Sequence, residues 1–144
     1  MHKINVPNKL LEAHKAQAFV ITCMDFRFRE ATQSFVAEGL GIKNFDLVAV
    51  PGAAKGVIEK TATGEVGSTS AEIAERLHRV TKVIFVNHGT CGAYSIPDAE
   101  KELERQSADL TETRRIFSEQ FPTLSIRSFF AQKNDGAINY LEIQ

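Results

Sequence analysis

Four short apolar runs constrain this chain more than any other feature. Residues 18–22 (AFVIT), 46–50 (DLVAV), 82–87 (KVIFVN) and 124–131 (LSIRSFFA) each have the length of one strand and carry apolar residues at neighbouring positions. A strand wetted on one side alternates polar and apolar residues; one that does not alternate is covered on both sides. Helical signals lie between the runs. Residues 8–17 (NKLLEAHKAQ) predict a short helix capped by Asn8, and residues 29–38 predict another, stopped by Gly39 and Gly41. Helix signals resume at Ser68, with Ile73, Leu77 and Val80 on one apolar face. Residues 98–120 form a long charged helix with Leu103, Leu110 and Phe117 in one stripe, ended by Pro122. Doubly covered strands alternating with helices predict an α/β fold of three layers, with a central, mainly parallel four-stranded sheet flanked by helices. The Gly/Ala/Thr-rich stretch 51–68 reads as a loop long enough to be functional. Residues 136–144 receive no assignment.

Composition narrows the field. At 144 residues the chain suits one domain, 1–144, and 43 % hydrophobic residues supply a core. A net charge of −1 gives no electrostatic case for a nucleic-acid partner. The apolar runs are too short to cross a bilayer, so no membrane association is expected. Residues 1–17 hold no apolar export core, and the chain has two cysteines. A reducing, cytoplasmic setting is therefore expected, where thiols serve more often as ligands or catalysts than as staples.

In parallel sheets ligands gather beyond the carboxyl ends of the strands. Cys23 ends the first strand and His88 the third, so a parallel sheet places both on one rim. The third strand runs into NHGTCGAY, residues 87–94, where Cys91 follows His88 at a spacing of three. Two thiolates and one imidazole with a free fourth position match a catalytic zinc arrangement, and soft sulfur favours zinc over magnesium or calcium. Asp25 and Arg27 alternate with Cys23 in CMDFR. Asp25 can accept a hydrogen bond from zinc-bound hydroxide, while Arg27 clamps Asp25, keeps it ionised and keeps it off the metal. Each residue also has an ordinary reading: a cysteine as a small hydrophobe, a structural histidine, a surface ion pair, or a 23–91 disulfide. The coincidence of all of them at one rim favours a metal. His2, His14 and His78 lie apart from any cysteine, and Lys55 reads as a solvated lysine.

The pair Cys23-Met-Asp25-Phe-Arg27 and His88-Gly-Thr-Cys91-Gly92 resembles the C-x-D-x-R and H-x-x-C-G motifs of β-class carbonic anhydrases. The resemblance covers roughly residues 16–131. It implies strand order 2-1-3-4, one Zn2+ per chain on Cys23, His88 and Cys91, and Asp25 and Arg27 as the catalytic dyad. It also implies a homodimer or a multiple of dimers, acting on carbon dioxide and bicarbonate. The sequence departs from the family in two places. Val48–Ala54 replaces an Arg-Asn-Ala-Gly-like segment, and Gly89-Thr90 separates His88 from Cys91 where a hydroxyl residue and Asp are common. A close enzymatic neighbour is a carbon disulfide or carbonyl sulfide hydrolase; alternatives from other functional classes are a catalytically silent zinc-binding regulator and thiol redox work by Cys23 and Cys91, which lack a C-x-x-C spacing.

Overall fold

The structure, a computed structural model, describes residues 1–10 and 12–144. Strand β1 (Ala18–Cys23) is followed by α1 (Phe26–Ser34), which continues through one wide π turn (Phe35–Gly39). Next come β2 (Phe45–Val50), the single turn α2 (Lys55–Ile58), and α3 (Ala62–Ile73) with a π turn at Ala74–His78. Strand β3 (Lys82–His88), the long helix α4 (Ala99–Gln120) and the strands β4 (Ser125–Asn134) and β5 (Ala137–Ile143) complete the chain.

The sheet order is β2-β1-β3-β4-β5. The first four strands run parallel, with Thr22 opposite Ala49 on one side and Val86 on the other. The expected order 2-1-3-4 is therefore present, but the sheet has five strands rather than four. The fifth comes from the unassigned tail: Asp135 and Gly136 both take positive φ (43° and 80°) and turn the chain into an antiparallel hairpin, Asn134 opposite Ala137. A two-residue turn of that hand matches the twist of the strands it joins.

Alternating residues of β1 and β3 feed two cores, as double coverage requires, whereas the edge strand β2, expected to be covered on both sides, buries only Val50 and leaves Leu47 and Ala49 exposed. Phe19, Ile21, Val83 and Phe85 pack with Ala71 and Ala74 of the α3 segment and with Leu110 and Phe117 of α4. Val20, Ile84, Val86 and Phe129 pack with Phe28 and Val36 on the opposite face.

Three helix expectations are corrected. Residue 11 of the segment 8–17 lies outside the described residues, and residues 8–10 and 12–17 form no helix. There Asn8 turns its side chain to accept from the Leu10 N–H, and no buried side chain pays for helix nucleation. Helix α1 begins at Phe26, not at 29, because the Asp25 side chain caps it by accepting from the Arg27 N–H. Helix α3 begins at Ala62, and its buried face is Gly64, Gly67 and Ala71, continuing to Ala74; Ile73 and Leu77 lie exposed. Small residues bring this helix close: a Cβ on Gly67 would sit 3.6 Å from Ile21 Cδ1, and one on Gly64 would sit 2.3 Å from the Gly56 carbonyl oxygen.

Candidate metal centre

The carboxyl ends of β1 and β3 deliver Cys23 and His88 to one rim, and the turn after β3 returns Cys91 to the same place. Ligand atoms of Cys23, His88 and Cys91 all lie within 4.8 Å of one another, and all three residues are buried. The two sulfurs are 3.8 Å apart, and both cysteines are free. Two zinc–sulfur bonds of about 2.3 Å at a tetrahedral angle span roughly 3.8 Å, so the pair already has the bite of a tetrahedral ion.

His88 completes the fit. Its Nδ1–H donates to the Gly89 carbonyl at 2.8 Å, which leaves Nε2 as the free lone pair. Nε2 is buried without a hydrogen-bond partner. A buried ring nitrogen left unpaired costs free energy unless something takes its lone pair. The ring is held by stacking on Phe28, centroids 4.2 Å apart and planes 28° from parallel.

The electrostatics favour a deprotonated sulfur. Cys23 is held well below the usual thiol range, first by a hydrogen bond from Cys91, against its burial, with help from the nearby His88. Cys91 moves the opposite way, because Cys23 takes its proton as a hydrogen bond and because it is buried. The pair therefore gives up one proton readily and holds the second. Burial pulls His88 down, but the nearby Cys23 sulfur, the Gly89 carbonyl and the charges of Cys23 and Asp25 raise it on balance.

Asp25 sits beside the cluster. Its Oδ2 lies 3.8 Å from His88 Nε2. Arg27 Nε donates to Asp25 Oδ1 at 2.9 Å, Nη2 reaches Oδ2, and the Arg27 backbone N–H donates to Oδ1 at 3.0 Å. These contacts hold Asp25 at about 2, the Arg27 side-chain hydrogen bond being the largest cause. Arg27 Nη2 also donates to the Thr90 carbonyl at 3.2 Å, joining the β1 rim to the loop that carries Cys91. Thr90 adopts φ 58°, a left-handed conformation that costs a β-branched residue about 1–3 kcal/mol unless its surroundings enforce it.

An open cleft beside the cluster is lined by Met24, Phe26, Pro51 and Ala93 together with Asp25 and Arg27. Met24 is 62 % exposed and Phe26 80 %. The segment Val48–Ala54 works through its backbone: Gly52 and Ala53 take positive φ (69° and 45°), and the Ala54 N–H donates to Asn87 Oδ1 at 3.2 Å. Lys55 is not a solvated lysine. It is half-buried, and its Nζ donates to the Ala93 carbonyl at 2.7 Å, tying the turn after β2 to the turn after β3. His78 pairs with Asp46 at 2.7 Å on the surface, away from this centre.

The sequence reading missed the support beneath the site. Glu102, Gln106, Asp109 and Thr113 of α4 are buried polar residues. Gln106 donates to the His88 carbonyl at 2.9 Å and accepts from Asn87 at 2.9 Å; Tyr94 donates to Asp109 at 3.0 Å. The signal was the 4-3-4 spacing of these four residues, which runs alongside Leu110 and Phe117.

A family model described as "Putative carbonic anhydrase" matches residues 13–140. An uncharacterized protein of Rickettsia conorii is 33 % identical over 138 residues, covering 88 % of this chain and 74 % of its own. Another, from Rickettsia bellii, is 31 % identical over 150 residues, covering 96 % and 90 %. The fold is shared with the β-carbonic anhydrase of Aspergillus fumigatus: TM-score 0.61, 14 % identity, 91 % of this chain and 77 % of that one. It is shared also with the carbonic anhydrase of Streptococcus mutans: TM-score 0.60, 17 % identity, 99 % and 88 %. A tetrameric β-carbonic anhydrase of Sordaria macrospora aligns with TM-score 0.63 at 14 % identity, over 92 % and 84 %.

Proposed function

The chain belongs to the family described as "Putative carbonic anhydrase", as a divergent member of the β class, and on that premise we propose that it catalyses the reversible hydration of carbon dioxide to bicarbonate and a proton. Cys23, His88 and Cys91 would hold one zinc ion, and Asp25 and Arg27 would form the catalytic dyad. The observation that carries this reading is the buried, unpartnered His88 Nε2 facing two free thiols, next to a carboxylate held by an arginine. Zinc bound there supplies Lewis acidity, which brings the ionisation of water into the neutral range.

The rest falls to the chain. Asp25, ionised at any physiological pH, accepts a hydrogen bond from a hydroxyl group beside the cluster and fixes its orientation. Arg27 holds the Asp25 carboxylate and would keep it from becoming a further ligand to a zinc ion held by Cys23, His88 and Cys91. A purely structural zinc normally has four protein ligands, and the three gathered here argue against that role. Met24, Phe26, Pro51 and Ala93 give the cleft an apolar wall suited to a small uncharged gas.

The decisive experiment is metal analysis of the purified protein followed by stopped-flow hydration of dissolved carbon dioxide. One zinc per chain with turnover supports the reading. Turnover only with carbonyl sulfide or carbon disulfide would replace the substrate, and no zinc at all would remove the mechanism.

The assembly would be a homodimer or a multiple of dimers. Strand β2 is a sheet edge with Leu47 exposed, and Leu47 lines one cavity together with the exposed Met24. An open edge beside apolar side chains invites a second copy. Sedimentation of the purified chain tests this, and a stable monomer would refute it. No helix among the described residues is long and apolar enough to cross a membrane.

A further inference from the structure

Glu102 is only 3 % exposed, an unusual place for a carboxylate. It stands in the first turn of α4, whose N-cap Asp98 accepts from the Lys101 N–H. Oε2 accepts the Thr90 N–H at 2.7 Å, and Oε1 accepts the Cys91 N–H at 2.8 Å. Gln106 donates to the same Oε1 at 3.0 Å and, with the same nitrogen, to the His88 carbonyl at 2.9 Å. One buried carboxylate thus gathers the amides of two successive residues, one of them a member of the thiol–imidazole cluster, and joins them to the end of β3.

The peptide groups on both sides of Thr90 are held from opposite directions. Glu102 takes its N–H, and Arg27 gives a hydrogen bond to its carbonyl. The residue between them carries the left-handed φ of 58° that a threonine would not choose. Were the turn to relax, Cys91 Sγ would leave its place 3.8 Å from Cys23 Sγ.

We propose that Glu102 is a positioning residue: it holds the Thr90–Cys91 turn so that Cys91 presents its sulfur alongside Cys23 and His88. The role rests on the metal reading above and extends it to α4, whose hydrogen bonds to Cys91 and His88 go to their backbone atoms. Glutamine at this position keeps the shape but offers one acceptor oxygen to two amides, and turns an NH2 towards donors. Partners of this kind behind a metal ligand typically govern affinity by 10–100-fold.

The test is zinc affinity, by chelator competition, of the full chain and of Glu102→Gln, with visible absorption of the cobalt-loaded forms. Glu102→Gln is expected to bind zinc at least tenfold more weakly and to shift the cobalt spectrum. Adding Thr90→Gly, which removes the conformational objection of the turn, is expected to restore several-fold of that loss. Leu110→Ala, in the same helix but away from the turn, should lower stability without changing the affinity of the folded protein. A folded Glu102→Gln with affinity within twofold of the parent and an unchanged cobalt spectrum overturns the proposal. Should Glu102→Gln not fold, the parent decides by amide exchange. Slow exchange at Thr90 and Cys91 supports the clamp, and exchange as fast as in an open loop refutes it. A parent chain that binds no zinc would instead sink the metal reading, a different result.

Discussion

Replacing Asp25 by Asn and by Ala separates two roles that one side chain performs. As N-cap of α1 it accepts from the Arg27 N–H, and as a carboxylate it is gripped by the Arg27 guanidinium. Loss of an N-cap costs about 1 kcal/mol, and Asn caps nearly as well as Asp. The ion pair is worth less than its geometry suggests, because the Arg27 side chain is 39 % exposed; about 0.5–1 kcal/mol is reasonable. Asp25→Asn should therefore lose about 0.5–1 kcal/mol, and Asp25→Ala about 1.5–2 kcal/mol. Urea unfolding of the zinc-free proteins at pH 7 measures both, as shifts in midpoint at constant slope. The pH dependence has a definite sign. Asp25 titrates lower in the folded chain, at about 2, than in the unfolded one. Its charge thus stabilises fully above the usual carboxylate range, and the contribution fades as pH falls towards 2. Asp25→Asn should flatten that acid limb. Turnover of the zinc form should fall on the order of a hundredfold or more in both variants, since neither offers an anionic acceptor. Full activity in Asp25→Asn, or unchanged stability in Asp25→Ala, would refute the assignment.

Other substitutions probe the frame around the site. Cys91→Ser should bring zinc content close to zero and remove the metal-dependent part of the thermal stability; retention of one zinc per chain would show that Cys91 is not a ligand. Phe28→Ala empties a site 2 % exposed and takes away the ring on which His88 stacks, so a loss of about 3–5 kcal/mol in urea unfolding is expected, and a loss below 1 kcal/mol would contradict the packing. Gly64→Ala drives a Cβ to 2.3 Å from the Gly56 carbonyl oxygen, with backbone on both sides, and should cost about 1–3 kcal/mol; an unchanged midpoint would mean that α2 and α3 do not meet so closely.

Much of this was written locally. The runs AFVIT and KVIFVN announce strands buried on both faces, and they are the two innermost members of the parallel part of the sheet. Cys23, Asp25 and Arg27 could be read together because they occupy one strand end, and His88 and Cys91 because they occupy another. Their meeting followed from the parallel rule alone. The DG step at 135–136 was a hairpin signal equally available, although the short tail beyond it showed too little pattern to place a strand.

What sequence pattern determined was which thiols, imidazole, carboxylate and guanidinium come together and the rim on which they stand, because strand direction and residue spacing act over a few residues. Tertiary structure decided the rest. Gly64, Gly67 and Ala71 became the inner face of α3, since a helix packs where it can approach closely and not simply where its residues are greasiest. Glu102 and Gln106 could be buried only because Thr90, Cys91, His88 and Asn87 arrive with matching donors and acceptors. A polar side chain enters a core when its partners are already there, and those partners come from a different stretch of the chain.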